Sequence, residues 1–430
     1  MQPRMINIAP RPRSFFFVGI GGIGMSGLAE ILLEMGHRVS GSDRQKTDLT
    51  DYLEQRGAVV YEGHRAEHVQ NVDYLVRSSA VPMDNPEVAE ATRRGIPVMR
   101  RAELLGQLFN RKFGIAVAGT HGKTTTTSML GHCLLKGGFD PTIVVGGRLR
   151  NLKTNARLGK GDILVAEADE YDRSFLTLFP RIAVMTSLEM DHQDIYSDLH
   201  DLEDAFLRFS RQIVFDGVLI VNQDDANLRR LRDKFTIPMV SFGLEQAADY
   251  RAQRIDQVDR TTSFEVVENG QELGRVHLNV PGLHNVKNAL AAIAVCRELN
   301  MEFEEIKDAL VQFEGVERRF ETLGEEQGIM IVDDYAHHPT EVEATLRTAK
   351  EGFSRRVVAV FQPHLFSRTA QFYREFARAL SLADVAVVTD VYPAREKPLP
   401  GITGQMIADL LETEGYWVKE KNEIPAFLES

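Results

Sequence analysis

Cysteine is nearly absent. The 430 residues contain two, Cys133 and Cys296, too few for a disulfide framework or a cysteine-based zinc site, and their scarcity fits a reducing compartment. An excess of positive charge is also missing: 62 acidic against 50 basic residues give a net charge of -12. That balance argues against a general nucleic-acid or anionic-membrane binder, because such partners select a basic surface. Any nucleotide must therefore be held by local donors. No apolar run approaches the ~20 residues that cross a bilayer. Arg4, Arg11 and Arg13 lead into apolar Phe15–Val18, but that run breaks after four residues into Gly19, Ile20, Gly21 and Gly22. It reads as a strand entering a tight turn, not as a signal peptide. Tandem repeats and low-complexity tracts are missing too. A soluble, cytoplasmic protein is expected.

What is present is a long chain of globular composition, 43% hydrophobic and 26% charged, too large for one ordinary core. Strand-like Phe15–Val18, Arg38–Ser40, Ala58–Val60 and Tyr74–Val76 alternate with helical runs such as Ser26–Glu34, the pattern of parallel βαβ units. A second unit opens with Gly114–Ala118, a glycine-rich turn and a helix closed near Lys136 by Gly137 and Gly138. Buried-strand segments follow at Asp162–Ala166, Ile182–Thr186 and Val218–Val221, then an antiparallel insertion over Thr261–Val280. Ile329–Val332, Val357–Phe361 and Val385–Val388 mark a third unit. The expected fold is α/β in three domains: Rossmann-like 1–110, a P-loop ATPase-like centre at 111–317, and Rossmann-like 318–430.

Two glycine loops carry the chemistry. Gly19, Gly21, Gly22 and Gly24 satisfy G-x-G-x-x-G between a strand and a helix, and Asp43 lies 19 residues beyond Gly24. Glycines let backbone N–H groups approach a diphosphate at the helix N-terminus, and the acidic residue suits a ribose. NAD and other diphosphate nucleotides remain open at this point. The second loop, Gly119, Thr120, His121, Gly122, Lys123, Thr124 and Thr125, offers backbone donors, an ammonium for β/γ oxygens and a hydroxyl for Mg²⁺. Val117 replaces the first glycine of the general pattern. Glu167 ends a buried strand and is the expected Mg²⁺ ligand; Asp169, Glu170 and Asp172 follow it, and His192 follows the next strand. Lys123 belongs to a loop built to face a ligand, so its removal is expected to spare the fold.

Taken together, Gly119–Thr124, Glu167–Glu170, Glu189–His192, Gly282–Asn288, Gly315–Glu321 and Asp333–Pro339 resemble the Mur ligase family over nearly the whole chain. Gly19–Gly27, Ser40–Asp43, Phe361–His364 and Ser367–Thr369 look like its alanine-adding branch. The resemblance implies ATP-dependent ligation of L-alanine to UDP-N-acetylmuramate through an acyl phosphate, with Mg²⁺, in peptidoglycan precursor synthesis. It implies that the first loop, with Met25, Ser26 and Asp43, holds UDP and not NAD. Lys123 would contact ATP phosphates, Thr124 and Glu167 one Mg²⁺, and His192 a second. His284, Asn285 and Asn288 would lie on the adenine side, with Arg319 and Asp334 reaching the nucleotide. His337, His364 and Arg368 would face alanine and the acyl phosphate, either histidine serving as the base.

Two departures from the family pattern stand out: Leu365 occupies a position where a basic residue is expected, and the chain ends at Ser430, where relatives usually continue, so a last strand-helix element is expected to be missing. Three other readings compete. A murein tripeptide ligase resembles the chain around Glu167–Asp172, with Tyr171, but less in the last domain, where Phe361–His364 favours the alanine-adding branch; a NAD-dependent oxidoreductase rests on the first loop alone, and a nucleotide sensor would bind without turnover.

Overall fold

The computed structural model describes residues 11–151, 154–394 and 396–429. The chain divides into two compact units: the first runs to Arg254 and adds Glu265–Val276 and Lys287–Glu317, while the second takes Ile255–Phe264, His277–Val286 and the residues from Arg318 onward.

At the start, β1 (Ser14–Val18), β2 (Arg38–Asp43), β3 (Val59–Glu62), β4 (Tyr74–Arg77) and β5 (Val98–Arg100) alternate with α1 (Ile23–Glu34), α2 (Asp48–Gln55), α3 (Pro86–Arg93) and α4 (Arg101–Phe109). The strands form one parallel sheet in the order β3-β2-β1-β4-β5. All of β1 is buried, as a central strand covered by helices on both faces must be, which explains its unbroken apolar run. Strand order reverses between β1 and β4, and a crevice for ligands opens at the carboxyl ends on either side of such a switch. The first glycine loop leaves β1 there.

The chain continues through β6 (Phe113–Ala118), α5 (Lys123–Lys136), β7 (Thr142–Leu149), β8 (Thr154–Arg157), β9 (Ile163–Glu167), β10 (Ile182–Met185), α6 (Leu199–Ser210), β11 (Val218–Asn222), α7 (Ala226–Leu231) and β12 (Met239–Gly243). Next come β13 (Tyr250–Val258), β14 (Thr261–Glu268), β15 (Gln271–Leu278), α8 (Leu283–Glu298) and α9 (Phe303–Leu310). These strands form a ten-stranded sheet, β15-β14-β13-β12-β11-β10-β6-β9-β7-β8. Because β6 lies between β10 and β9, parallel to both, the loops after all three emerge side by side. The expected insertion at Thr261–Val280 begins earlier, at Tyr250. Its strands are joined by two-residue turns with Asp259, Asn269 and Gly270 at positive φ, the backbone sign that tight hairpins require.

In the second unit β16 (Glu321–Glu326) and β17 (Ile329–Asp333) precede α10 (Pro339–Gly352), β18 (Val358–Phe361), α11 (Phe366–Leu380), β19 (Val385–Val388), α12 (Gln405–Ala408), β20 (Glu414–Trp417) and α13 (Ile424–Glu429). β18, β19 and β20 form a parallel sheet. Ile329–Val332 does not join it. That segment pairs antiparallel with β16, leaving Ile329 and Ile331 exposed. Both cysteines are buried, and no helix among the described residues is long and apolar enough to cross a membrane.

Candidate active site

Three loops converge beyond the carboxyl ends of β6, β9 and β10. Gly119 has φ +137, and a Cβ there would sit 2.1 Å from Thr186 Oγ1; Gly122 has φ +83, with Asn288 Oδ1 2.7 Å from the place of a Cβ. Only glycine suits both the backbone and the space. Gly122 thereby turns the chain into α5, whose first residue is Lys123. The ammonium of Lys123 donates to Gly119 O at 2.6 Å and to both oxygens of Glu170 at 2.9 and 2.7 Å. Burial alone would lower the Lys123 pKa, but Glu170 and Asp169 outweigh it and raise it. The same attraction overcomes burial at Glu170 and holds its carboxyl down to about 2. In the sequence Glu170 simply follows Glu167 in an acidic run. It is in fact 1% exposed, and nothing in the sequence except its place after a buried strand marks it as the lysine's partner.

The next residue of α5, Thr124, donates its hydroxyl to Glu167, as the Gly146 N–H also does, and burial pushes the Glu167 pKa up. Glu167 Oε1 is shut off from solvent with no hydrogen-bond partner among the described residues. A hydroxyl beside a carboxylate with an unspent oxygen is a donor set that suits Mg²⁺, a cation that prefers oxygen ligands. His192 follows β10 with φ +55, strained for a side-chain-bearing residue, and such strain gathers at working sites. Its Nε2 lies 3.6 Å from Glu170 Oε1, its ring meets Tyr171 edge-on at 5.1 Å, and Asp169, Glu170 and His192 have ligand atoms within 4.8 Å of one another. The pKa of His192 is raised: burial opposes, and Glu170 and Asp191 prevail. His121 pairs with Glu189 at 3.0 Å, and the Thr120 hydroxyl donates to the Glu189 carbonyl at 2.9 Å. Asn288 Oδ1 accepts from the Thr126 hydroxyl at 3.1 Å.

The first glycine loop is largely self-bonded. The N–H groups of Gly19 and Ile20 donate to Ser42 O, and that of Gly22 to Gly19 O. Asp43 Oδ2 accepts from Gly21 N at 2.8 Å, so this carboxylate supports the loop. Met25 is 2% exposed in the core, and the Ser26 hydroxyl donates to Ile23 O at 3.0 Å. Gly22 has φ -67, and a Cβ on it would meet nothing closer than Gly19 O at 3.5 Å. Gly22→Ala should therefore fold normally yet crowd a diphosphate against the loop. If this loop holds the uridine nucleotide that the family resemblance implies, KM for that nucleotide should rise about tenfold, ~1.4 kcal/mol, with ATP kinetics unmoved, and an unchanged KM would remove Gly22 from the contact surface.

Within the second unit, His284 is partly buried, which lowers its pKa to about 4 with help from Arg319 and against Glu341. Arg319 reaches Glu341 at 3.5 Å. Asp334 accepts from Phe320 N at 2.7 Å and Ala336 N at 2.8 Å, and Asn285 donates to Pro281 O at 2.7 Å. His337 Nδ1 faces Tyr335 O at 2.8 Å, and its ring centre is 6.2 Å from that of His364. Arg368, buried on α11, brings Nη1 within 3.4 Å of His364 Nδ1. Leu365, in the place of the expected basic residue, holds φ +71 and donates its N–H to Tyr392 O at 3.0 Å, so here backbone geometry and not charge shapes the turn beside His364.

Because His284 has a depressed pKa, the unfolded chain takes up the proton first as pH falls from 6.5. That contribution to stability is whole above 6.5 and is lost toward pH 4, by about 3 kcal/mol. The urea midpoint of His284→Gln should fall less than that of the parent between pH 7 and 4.5; parallel profiles would place the acid sensitivity elsewhere.

Family models match three consecutive stretches: "Mur ligase family, catalytic domain" at 14–113, "Mur ligase middle domain" at 117–296 and "Mur ligase, glutamate ligase domain" at 318–429. The chain belongs to the Mur ligase family. It is an α/β protein of three domains, as its sequence led us to expect. Among similar proteins, the UDP-N-acetylmuramate--L-alanine ligase of Salinibacter ruber is 50% identical over 425 residues, 97% of this chain and 90% of that protein. That of Geotalea uraniireducens is 51% identical over 404 residues, 93% and 87% of the two chains. Among solved structures, UDP-N-acetylmuramate-alanine ligase of Thermotoga maritima superposes with TM-score 0.83 at 33% identity, covering 96% of this Mur ligase and 92% of the other. A murein peptide ligase of Psychrobacter arcticus gives 0.73 at 26%, covering 97% and 92%.

Proposed function

We propose that this Mur ligase joins L-alanine to UDP-N-acetylmuramate at the expense of ATP, in the cytoplasm, as a step of peptidoglycan precursor synthesis. One observation carries the reading: half of the residues are shared, over more than nine-tenths of the chain, with relatives named for that reaction. The murein peptide ligase alternative is the less favoured, its solved representative from Psychrobacter arcticus sharing 26%. The oxidoreductase reading leaves Lys123 unexplained, and the sensor reading leaves the converging Lys123, Glu167 and His192 without a task.

A carboxylate is a poor electrophile, so it must first be activated. Lys123 offsets charge on the phosphoryl group of ATP as the muramate carboxylate attacks it, and ADP leaves. Thr124 and Glu167 would hold Mg²⁺ and His192 would serve a second ion; such ions, when bound, would neutralise phosphate charge. The Lys123 ammonium exchanges its Glu170 contacts for phosphate oxygens, which keeps it charged and oriented before ATP arrives. His284, neutral at working pH, Asn285, Asn288, Arg319 and Asp334 serve the nucleotide. The alanine amine then attacks the acyl phosphate, the amide forms and phosphate departs. Either His337 or His364 takes the ammonium proton, and Arg368 holds anionic oxygen.

The deciding experiment measures phosphate release with ATP, UDP-N-acetylmuramate and each amino acid or tripeptide in turn. Release should require all three substrates, with alanine preferred. Turnover with a tripeptide but not with alanine would replace this reading by the recycling one.

A further inference from the structure

Arg101 opens α4 directly after β5, on the same sheet edge as the first glycine loop. Its guanidinium lies over Gly24: a Cβ there would come within 3.1 Å of Arg101 Cδ and 3.4 Å of Nε and Nη1. The side chain is 23% exposed, and its one ion pair among the described residues, Nη2 to Asp169 Oδ2, is stretched to 4.0 Å. Its neighbours are better partnered. Arg100 reaches Asp172 at 3.2 Å, and Arg173 grips Asp201 at 2.7 and 2.8 Å. A largely desolvated guanidinium without a hydrogen-bonded acceptor among the described residues has donors to spend, and planar oxyanions match its fork.

The loop beneath it is short of donors. Four of its six amides, those of Gly19, Ile20, Gly21 and Gly22, are already engaged. Ile23 and Gly24, the first two residues of α1, keep N–H groups with no partner among the described residues. Two backbone amides and a helix terminus are a thin hold on a diphosphate carrying two charges. Arg101 lies over one of those two residues.

We propose that Arg101 is a substrate-binding residue that clamps the diphosphate of the uridine nucleotide onto the Ile23–Gly24 end of the first loop. The inference rests on the assignment of that loop to the muramyl nucleotide. It adds a cation from α4 to a site that the glycine pattern alone describes as backbone.

The test is calorimetric titration of the full chain and of Arg101→Met and Arg101→Lys with UDP-N-acetylmuramate, UDP-N-acetylglucosamine and ATP. Both uridine nucleotides should bind Arg101→Met roughly ten- to a hundredfold more weakly, the size of losing a charged hydrogen-bonded contact. ATP should stay within about twofold, and Arg101→Lys should recover part of the loss by restoring charge without the fork. A loss confined to the muramyl compound would move the contact to its carboxylate and overturn the proposal. Equal weakening of ATP would make Arg101 structural, acting through Asp169, and unchanged affinities would overturn it outright. Should Arg101→Met fail to fold, Arg101→Lys carries the test, because it must still lower affinity for both uridine nucleotides together. If the parent chain bound neither, the ligase reading itself would fall, a different result from any of these.

Discussion

Lys123→Ala is expected to lose ~3-4 kcal/mol of transition-state stabilisation, two to three decades in turnover, and to lose stability as well. The second effect is not visible from the loop sequence, which suggests a side chain waiting for a ligand. In the folded protein the ammonium is held by both oxygens of Glu170, itself 1% exposed. Truncating the lysine strands a buried carboxylate beside His192, and breaking such a pair from one side costs about 3-5 kcal/mol. The expectation that removal would spare the fold is thus corrected by the partner. A second substitution separates the two losses. Lys123→Ala with Glu170→Gln should regain most of the lost melting temperature, because the uncompensated charge is gone, while turnover stays low, because nothing replaces the cation at the phosphoryl group. Calorimetric melting and steady-state phosphate release on the four proteins of this cycle would decide. Recovery of activity in the double variant would mean that Lys123 acts only by neutralising Glu170.

The contrast between what was and was not legible follows the same physics. β1, β6, β9 and β10 are central parallel strands buried on both faces, so their apolar runs are continuous and their positions plain. The helix from Lys123 to Lys136 was plain too, because a glycine turn begins it and Gly137 and Gly138 follow it. β16 was not legible. Its residues, Glu321–Glu326, are mostly polar and exposed, and only pairing with β17 makes them a strand. β13 starts buried at Tyr250 and Ala252 but exposes Arg254, Asp256 and Val258, which dilutes its apolar signal. At the site, residue types and spacing pointed to Lys123, Thr124, Glu167 and His192, whose side chains do converge. Partner choice was beyond the sequence. That Asp43 serves Gly21, and that Glu170 serves Lys123, depends on which loops the sheet order brings together.

Glu167→Gln should make the metal-free protein more stable and the enzyme nearly inactive. Burial raises the pKa of Glu167, with the Gly146 N–H, the Thr124 hydroxyl and Lys123 only partly opposing. The folded state therefore holds this proton more tightly than the unfolded chain does. Stability falls as pH rises from the ordinary carboxyl value of 4.5 through the raised folded value, and above that value the full penalty is present. Glutamine keeps the shape and an oxygen for Thr124 and Gly146 while removing the charge, so the melting temperature at pH 7.5 should rise. The missing charge is also what the donor set offers to Mg²⁺. Addition of Mg²⁺ and ATP should stabilise the parent by mass action and the variant much less, and turnover should drop by ~3 kcal/mol or more, at least two decades. Melting curves with and without Mg²⁺ and ATP read the first effect independently of activity. A variant that melts lower than its parent without metal would show that the carboxylate is a structural ion, and a variant stabilised by Mg²⁺ and ATP as strongly as the parent would take Glu167 out of the metal site.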